Sequence, residues 1–293
     1  MFLPKTIDKP KIPPIKIQGI KTKLLPFISE NIKWDGKGTY IEPFMGSGVV
    51  GFNLAPDKAI FNDTNPYIIE FYNGIKNKSI NHKIVRDYLE TEGAKLEKTP
   101  AGKDSYYYEV RDRFNKDKSV LDFLFLQRSN FNGMIRFNSK GYYNVPFCNK
   151  PKRFNKSLVT KIVNQVKWLE DLIKDKDWEF TCRDFAEVMS LAKEGDFIYL
   201  DPPYFGLNDT YYAEWNKESA EKVVDLMLKT KAEVAYSTWY EKPWGRNEGI
   251  KNWPGFTILT TEHFYHLATK VEYRSAVTEA LIVKNSSLAQ CKD

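Results

Sequence analysis

Residues 197–206, FIYLDPPYFG, end an apolar run on an acid, two prolines and a tyrosine. Proline fixes φ and offers no amide hydrogen, so two in succession stop a sheet ladder and stiffen the chain around them. Asp201, Pro202, Pro203 and Tyr204 are therefore the first candidates for chemistry. The Asp201 carboxylate and the Pro202 carbonyl are acceptors held in place before any ligand arrives. Together they could take both hydrogens of one amino group, while Tyr204 offers a face on which a planar base stacks. A rigid turn closing a strand is the plainer reading of the same four letters.

A second candidate lies upstream. Residues 39–51, TYIEPFMGSGVVG, read as a strand, an acid and a glycine-containing loop that opens a helix at about Ser47. Glycines let the backbone approach a ligand, and the helix start offers unpaired N–H groups. Past a further strand, Asp63 stands where an acid at a sheet edge binds ribose hydroxyls. No complete GxGxxG is present, which disfavours a dinucleotide. Glu42, just before Pro43, suits a nucleoside pocket with little phosphate to hold. For the glycine loop alone, a plain strand-to-helix turn is the alternative.

These residues need a scaffold. Segments 39–41, 59–61, 197–200, 234–237 and 280–283 read as short buried strands. Apolar residues at three- and four-residue steps predict helices over 158–173 and 217–229. The alternation predicts an α/β fold with a mostly parallel sheet covered on both faces. Residues 1–65 and 157–293 would form this catalytic domain, with 66–156 as an insert that is first helical and charged, then rich in Asn, Gly, Arg, Lys and aromatics. Within the insert, FNGMIRFNSKGYYNVPF reads as a hairpin turning at Ser-Lys-Gly. A two-stranded ribbon fits a DNA major groove, where Arg reads guanine and Asn can read adenine. The bland alternative makes Phe131, Met134 and Phe137 core residues, with Arg136 and Lys140 solvated.

Composition sets limits. The chain has 293 residues, 42% of them hydrophobic, with no apolar run long enough to span a bilayer. Its opening, MFLPKTIDKPKIPPIKIQG, is broken by prolines and charges and does not read as a signal peptide, so a cytoplasmic protein is expected. The net charge of +6 and the 15% aromatic content are compatible with a polyanion partner but do not demand one. Cys148, Cys182 and Cys291 lie far apart, which excludes a disulfide framework or a Cys-rich zinc site. His263 and His266 have no evident third ligand, so no metal is expected. A zinc deaminase is excluded because its H-x-E and P-C-x-x-C pattern is missing.

In order along the chain, KIQGIKTKLL, EPFMGSG, FNDTNP, RDF and YLDPPY resemble the motif series of the DNA adenine-N6 methyltransferases of the Dam type, the D12 class with alpha motif order. The resemblance covers nearly the whole chain. It implies a Rossmann-like S-adenosylmethionine-dependent methyltransferase sheet carrying an inserted target-recognition domain, with S-adenosylhomocysteine as product and no metal. The matching cofactor positions are Ile17, Lys21, Glu42, Pro43, Phe44, Gly46, Gly48, Asp63, Asp184, Phe185 and Asp201. One departure stands out: many relatives have Trp-Ala-Gly-Gly-Lys where this chain has Ile17-Gln18-Gly19-Ile20-Lys21.

On the DNA side, the resemblance implies that Lys16 and Arg136 contact guanine and that Met134 and Pro146 lie against thymine. Phe131 would insert between bases beside Asn132; Asn138, Asn149 and Lys150 are further DNA-binding candidates, Lys150 opening a basic run that would suit phosphates. The implied partner is double-stranded DNA, from which one adenine flips out because it cannot reach a pocket inside the duplex. Within the family, the likeness is nearest to a modification enzyme of a restriction–modification pair, implying a bacterial, archaeal or phage source and a GAT-initiated site such as GATATC. A restriction endonuclease would then act on the same site. A GATC-type orphan enzyme, a catalytically silent DNA-binding regulator, and acceptors such as cytosine N4, RNA or protein glutamine are the alternatives.

Overall fold

Short runs of aromatic and branched residues, buried on both faces, build a central sheet. The computed structural model describes residues 2–203, 215–242, 245–264 and 276–284. β1 (Tyr40–Glu42), β2 (Lys58–Asn62), β3 (Asp177–Thr181), β4 (Phe197–Leu200) and β5 (Glu233–Lys242) are all parallel and lie in the order β3-β2-β1-β4-β5. β6 (Gly245–Arg246) pairs antiparallel with the end of β5. β7 (Phe256–Phe264) and β8 (Ala276–Lys284) extend the sheet as β5-β8-β7, with β8 antiparallel to both neighbours. All five expected strands are present. β3, DWEFT, escapes notice because only two of its side chains are buried, between exposed acids.

The chain runs outward from β1 to β3 and then returns to the other side of β1 for β4. That reversal opens a crevice at the carboxyl ends of β1 and β4, the place where open α/β sheets bind ligands. Glu42 ends β1 and Asp201 follows β4, so both acids face it.

Helices cover the sheet: α1 (Leu25–Asn31), α2 (Val49–Leu54), α3 (Pro66–Lys76), α4 (His82–Glu97), α5 (Tyr106–Asp117), α6 (Val120–Ser129), α7 (Lys156–Ile173), α8 (Phe185–Ser190) and α9 (Lys217–Lys229). Asn65, Asn81, Ser105, Ser119, Asn155, Asp184 and Asn216 each cap a helix start by accepting a backbone N–H. α2 begins later than Ser47, because Gly48 occupies its cap at φ +73°. A Cβ at Gly48 would also lie 2.5 Å from the Phe52 ring, so only glycine fits.

Between β2 and β3 the chain forms α3 to α7. α4, α5 and α6 are tied by one charged knot. Arg113 of α5 donates to Asp122 of α6 at 2.5 and 2.9 Å and to Glu92 of α4 at 2.7 Å. Tyr106 donates to Glu92 at 2.8 Å, and Tyr88 donates to Asp122. Burial pushes the Glu92 carboxyl up, but hydrogen bonds from Lys95, Arg113 and Tyr106 together hold it below its ordinary value.

The segment 130–147 is not the regular ribbon expected. It turns back on itself through two isolated antiparallel bridges, Asn130 with Phe147 and Phe137 with Tyr143. Left-handed Asn132 and Gly133, and Pro146 without an amide hydrogen, interrupt a continuous ladder.

Arg113→Met should lower unfolding stability by about 3 kcal/mol, since Asp122 then stays buried without its cation and Glu92 keeps only Lys95. Urea unfolding measures this. The deficit should be full above the ordinary carboxylate range and shrink as pH falls through the depressed Glu92 value, where the variant no longer buries that charge.

Candidate active site

The crevice holds a cavity of about 280 Å³. The strap before α1 forms one wall with Ile17 and Lys21. Glu42, Pro43, Phe44 and Gly46 line the second side, and Asp63 with Asn65 the third. Asp184 and Phe185, at the start of α8, and Asp201, Pro202 and Pro203, after β4, complete it. Of the expected cofactor residues, Gly48 alone stands behind the lining, where it shapes the start of α2. Tyr204 lies outside the described residues.

The centre of the site is an ion pair. Lys21, 5% exposed, sits 2.8 Å from the Asp201 carboxylate. The same ammonium donates to the Gly19 carbonyl at 3.2 Å, which fixes the strap's turn. Burial pushes the Asp201 carboxyl up, Lys21 draws it back down, and Glu279 adds to the rise. The cation therefore favours the ionised acid in a place where desolvation opposes it.

Glu42 behaves differently. Its Oε2 accepts from Tyr40 Oη at 3.0 Å and from the Gly51 N–H at 3.1 Å. Burial outweighs both bonds, and nearby Asp201 and Asp63 add to the effect, so its carboxyl is pushed up to about 8. At neutral pH it is mostly protonated.

Asp63 is a clamp. One oxygen accepts from Gly46 N–H at 2.9 Å and the other from Asn65 N–H at 2.8 Å, joining the glycine loop to the start of α3. Burial raises its carboxyl, and these two N–H groups oppose that. A carboxylate has about four lone-pair sites, so two bonds leave capacity for ligand hydroxyls. Asp184 caps α8 by accepting from Ala186 at 2.9 Å, and this sets Phe185 against the cavity. A nucleoside with a charged tail fits this set: acceptors at Asp63, aromatic rings at Phe44 and Phe185, and an ion pair at Lys21 and Asp201.

The strap also reaches the helical segment between β2 and β3. Lys16 N–H donates to the buried Gln127 at 2.9 Å, and Arg128 donates to the Pro14 carbonyl at 2.9 Å. The Lys16 side chain lies against Gly133, where an added Cβ would come within 2.9 Å of it. Lys16 thus stands beside the turn bearing Phe131 and Asn132, both exposed, with Phe131 47% so. Met134 and Arg136 are half-buried, while Asn138, Pro146, Asn149 and Lys150 are exposed. Arg136 donates to Asn144 Oδ1 at 2.7 Å and to the Asn144 carbonyl at 3.2 Å, so its side chain is fixed in the turn. Asn149 accepts from Gly102 at 3.2 Å, which ties it to the loop before α5.

Several lining residues carry no signal in the sequence. Ile135 brings the insert to the cavity itself, and Tyr199, Trp215 and Ser219 border it from β4 and the start of α9. Alternation along FIYL could have singled out Tyr199, two residues before Asp201; nothing in the spacing marks Trp215. Among the described residues no group of three side chains could hold a metal, and no helix is long and apolar enough to cross a membrane. His266 falls outside the described residues.

A family model described as D12 class N6 adenine-specific DNA methyltransferase matches residues 18–267. The type II methyltransferase M.MjaIII of Methanocaldococcus jannaschii is 33% identical over 218 residues, 68% of this chain and 71% of its own. A DNA adenine methylase of Haemophilus influenzae is 32% identical over 244 residues, 78% and 79% of the two chains. The type II methyltransferase M.FokI of Planomicrobium okeanokoites is 26% identical over 284 residues, 92% of this chain but 42% of its own. The family match takes in the glycine loop, the insert and the turn after β4 together, and the chain belongs to the D12 class of N6 adenine-specific DNA methyltransferases.

Proposed function

We propose that this protein transfers a methyl group from S-adenosylmethionine to N6 of an adenine flipped out of duplex DNA. The carrying observation is that Asp201 and Pro202 border the same cavity as Asp63 and Phe185. An acceptor pair for an amine and a pocket for a nucleoside thus share one space. The cofactor, when bound, supplies an electrophilic methyl group. Asp63 would hold its ribose and Phe44 and Phe185 its adenine.

Adenine N6 is a poor nucleophile, because its lone pair is delocalised into the ring. The Asp201 carboxylate and the Pro202 carbonyl accept the two N6 hydrogens and draw the amine out of the ring plane. Both acceptors stand where positive charge develops, which stabilises the transition state without a strong base. Pro202 and Pro203 keep them from relaxing. Lys21 orients Asp201 and opposes the rise that burial gives its carboxyl. Tyr204, following in sequence, serves as the stacking face for the base.

The exposed Phe131 beside Asn132 is a suitable wedge at the flipped base, since an inserted ring offsets lost stacking. Arg136 is held by Asn144 in one orientation, which suits a guanine edge, with Lys16 beside the same turn. The reading therefore includes a GAT-initiated site, of which GATATC is the specific form. The enzyme would be the modification half of a restriction–modification pair. Residues 66–156 form its target-recognition insert, and the rest of the chain its catalytic domain.

Asp201→Ala should lower methyl transfer at least 10³-fold while DNA affinity stays within a few-fold; tritiated methyl transfer to duplex DNA with a parallel binding assay checks both. Transfer at the wild-type rate would remove Asp201 from the chemistry. Lys21→Met should move the acid limb of the rate–pH profile to higher pH, because Asp201 then keeps its proton to higher pH, while Lys21→Arg keeps the limb near its original place. Arg136→Ala should relax preference at one base pair, a loss of about 1–3 kcal/mol in discrimination, as measured on a library of single-substituted sites. A uniform loss over all sequences would instead make it a phosphate contact.

A further inference from the structure

The cavity lining has two chemically unlike parts. Lys21 and Asp201 make one part charged, whereas Phe44, Phe185 and Trp215 make the other aromatic. The three rings touch one another. Trp215 stands edge-on to Phe44, with centroids 5.5 Å apart at 89°, and tilted to Phe185 at 5.8 Å and 59°. Phe44 and Phe185 are 5.3 Å apart at 33°. The next residue, Asn216, caps α9 by accepting the Ser219 N–H at 2.8 Å, so the chain just after the Trp215 ring is fixed by the helix start.

The indole N–H breaks the apolar pattern. It is buried, and it has no hydrogen-bond acceptor among the described residues. A buried donor without a partner is destabilising, and it is rare in native proteins unless a ligand or water completes it. A purine offers both things this wall lacks: a flat π face for the rings, and ring nitrogens that can only accept. A purely apolar ligand would satisfy the rings and leave the indole N–H unpaired.

We propose that Trp215 is a specificity residue for the cofactor's adenine, closing the aromatic wall beside the ring and donating its indole N–H to one of the ring nitrogens. This rests on the proposed use of S-adenosylmethionine. It assigns adenine selection to a residue after the turn that follows β4, so the segment carrying the amine acceptors and the start of α9 are joined through the cofactor.

Calorimetric titration of the full chain with S-adenosylhomocysteine and its 1-, 3- and 7-deaza analogues tests the assignment. The wild-type protein should bind one of the three about tenfold more weakly than the parent compound, the loss expected for one neutral hydrogen bond. Trp215→Phe, which keeps a ring and drops the donor, should bind the parent about tenfold more weakly and no longer discriminate against that analogue. Parent binding by Trp215→Phe at wild-type affinity would overturn the assignment. So would equal binding of all three analogues by the wild-type protein, a result that needs no variant to fold. Failure of the wild-type protein to bind S-adenosylhomocysteine at all would instead overturn the cofactor reading beneath it.

Discussion

A lysine and an aspartate, brought from residues 21 and 201 to 2.8 Å of each other, set the terms for everything around them. Burial disfavours the charged form of Asp201. The buried ammonium opposes that and anchors the turn that follows β4. It can do so only because the strand order reverses between β1 and β4, which run parallel, and leaves an open crevice at their carboxyl ends. The strap that delivers Lys21 is itself fixed on the helical segment, through Gln127 and Arg128 of α6. The strap from Lys16 to Lys21 thus reaches from the turn bearing Phe131 to the acid of the proposed chemistry.

The site's acids are differentiated by surroundings rather than type. Asp201 is held by a cation, Asp63 by two backbone N–H groups, and Glu42 by a phenol and one N–H in full burial. Three carboxyl groups in one small space would repel one another if all were charged. Keeping Glu42 mostly protonated at neutral pH limits that repulsion. The arrangement leaves carboxyl acceptors where a ribose and an amine would approach, and a mostly protonated one beneath the glycine loop.

The parallel part of the fold and most of the cavity were legible in the sequence, for a physical reason. Strands buried on both faces read as unbroken apolar runs, and residues that must meet a ligand follow directly at their ends: Glu42 after YI, Asp63 after IFN, Asp201 after FIYL. β3 and β7 were not read because they alternate or carry threonines and charges, as strands nearer the sheet's edges do. Trp215 and Ile135 come to the cavity by tertiary packing, which no local spacing encodes. The turn at 130–147 misled in its regularity, since its backbone pairing is confined to isolated bridges and a few bonds, which side-chain bonds such as Arg136 to Asn144 reinforce.

The activity proposed for these residues together is methylation of adenine N6 in duplex DNA. Expressing the chain in a host free of DNA methylation and mapping modified bases by direct sequencing of its genome tests that claim most directly. The expected result is N6-methyladenine at a single short motif beginning GAT, with no modified cytosine. An unmodified genome in the presence of folded protein, or methyl groups on cytosine, would contradict it.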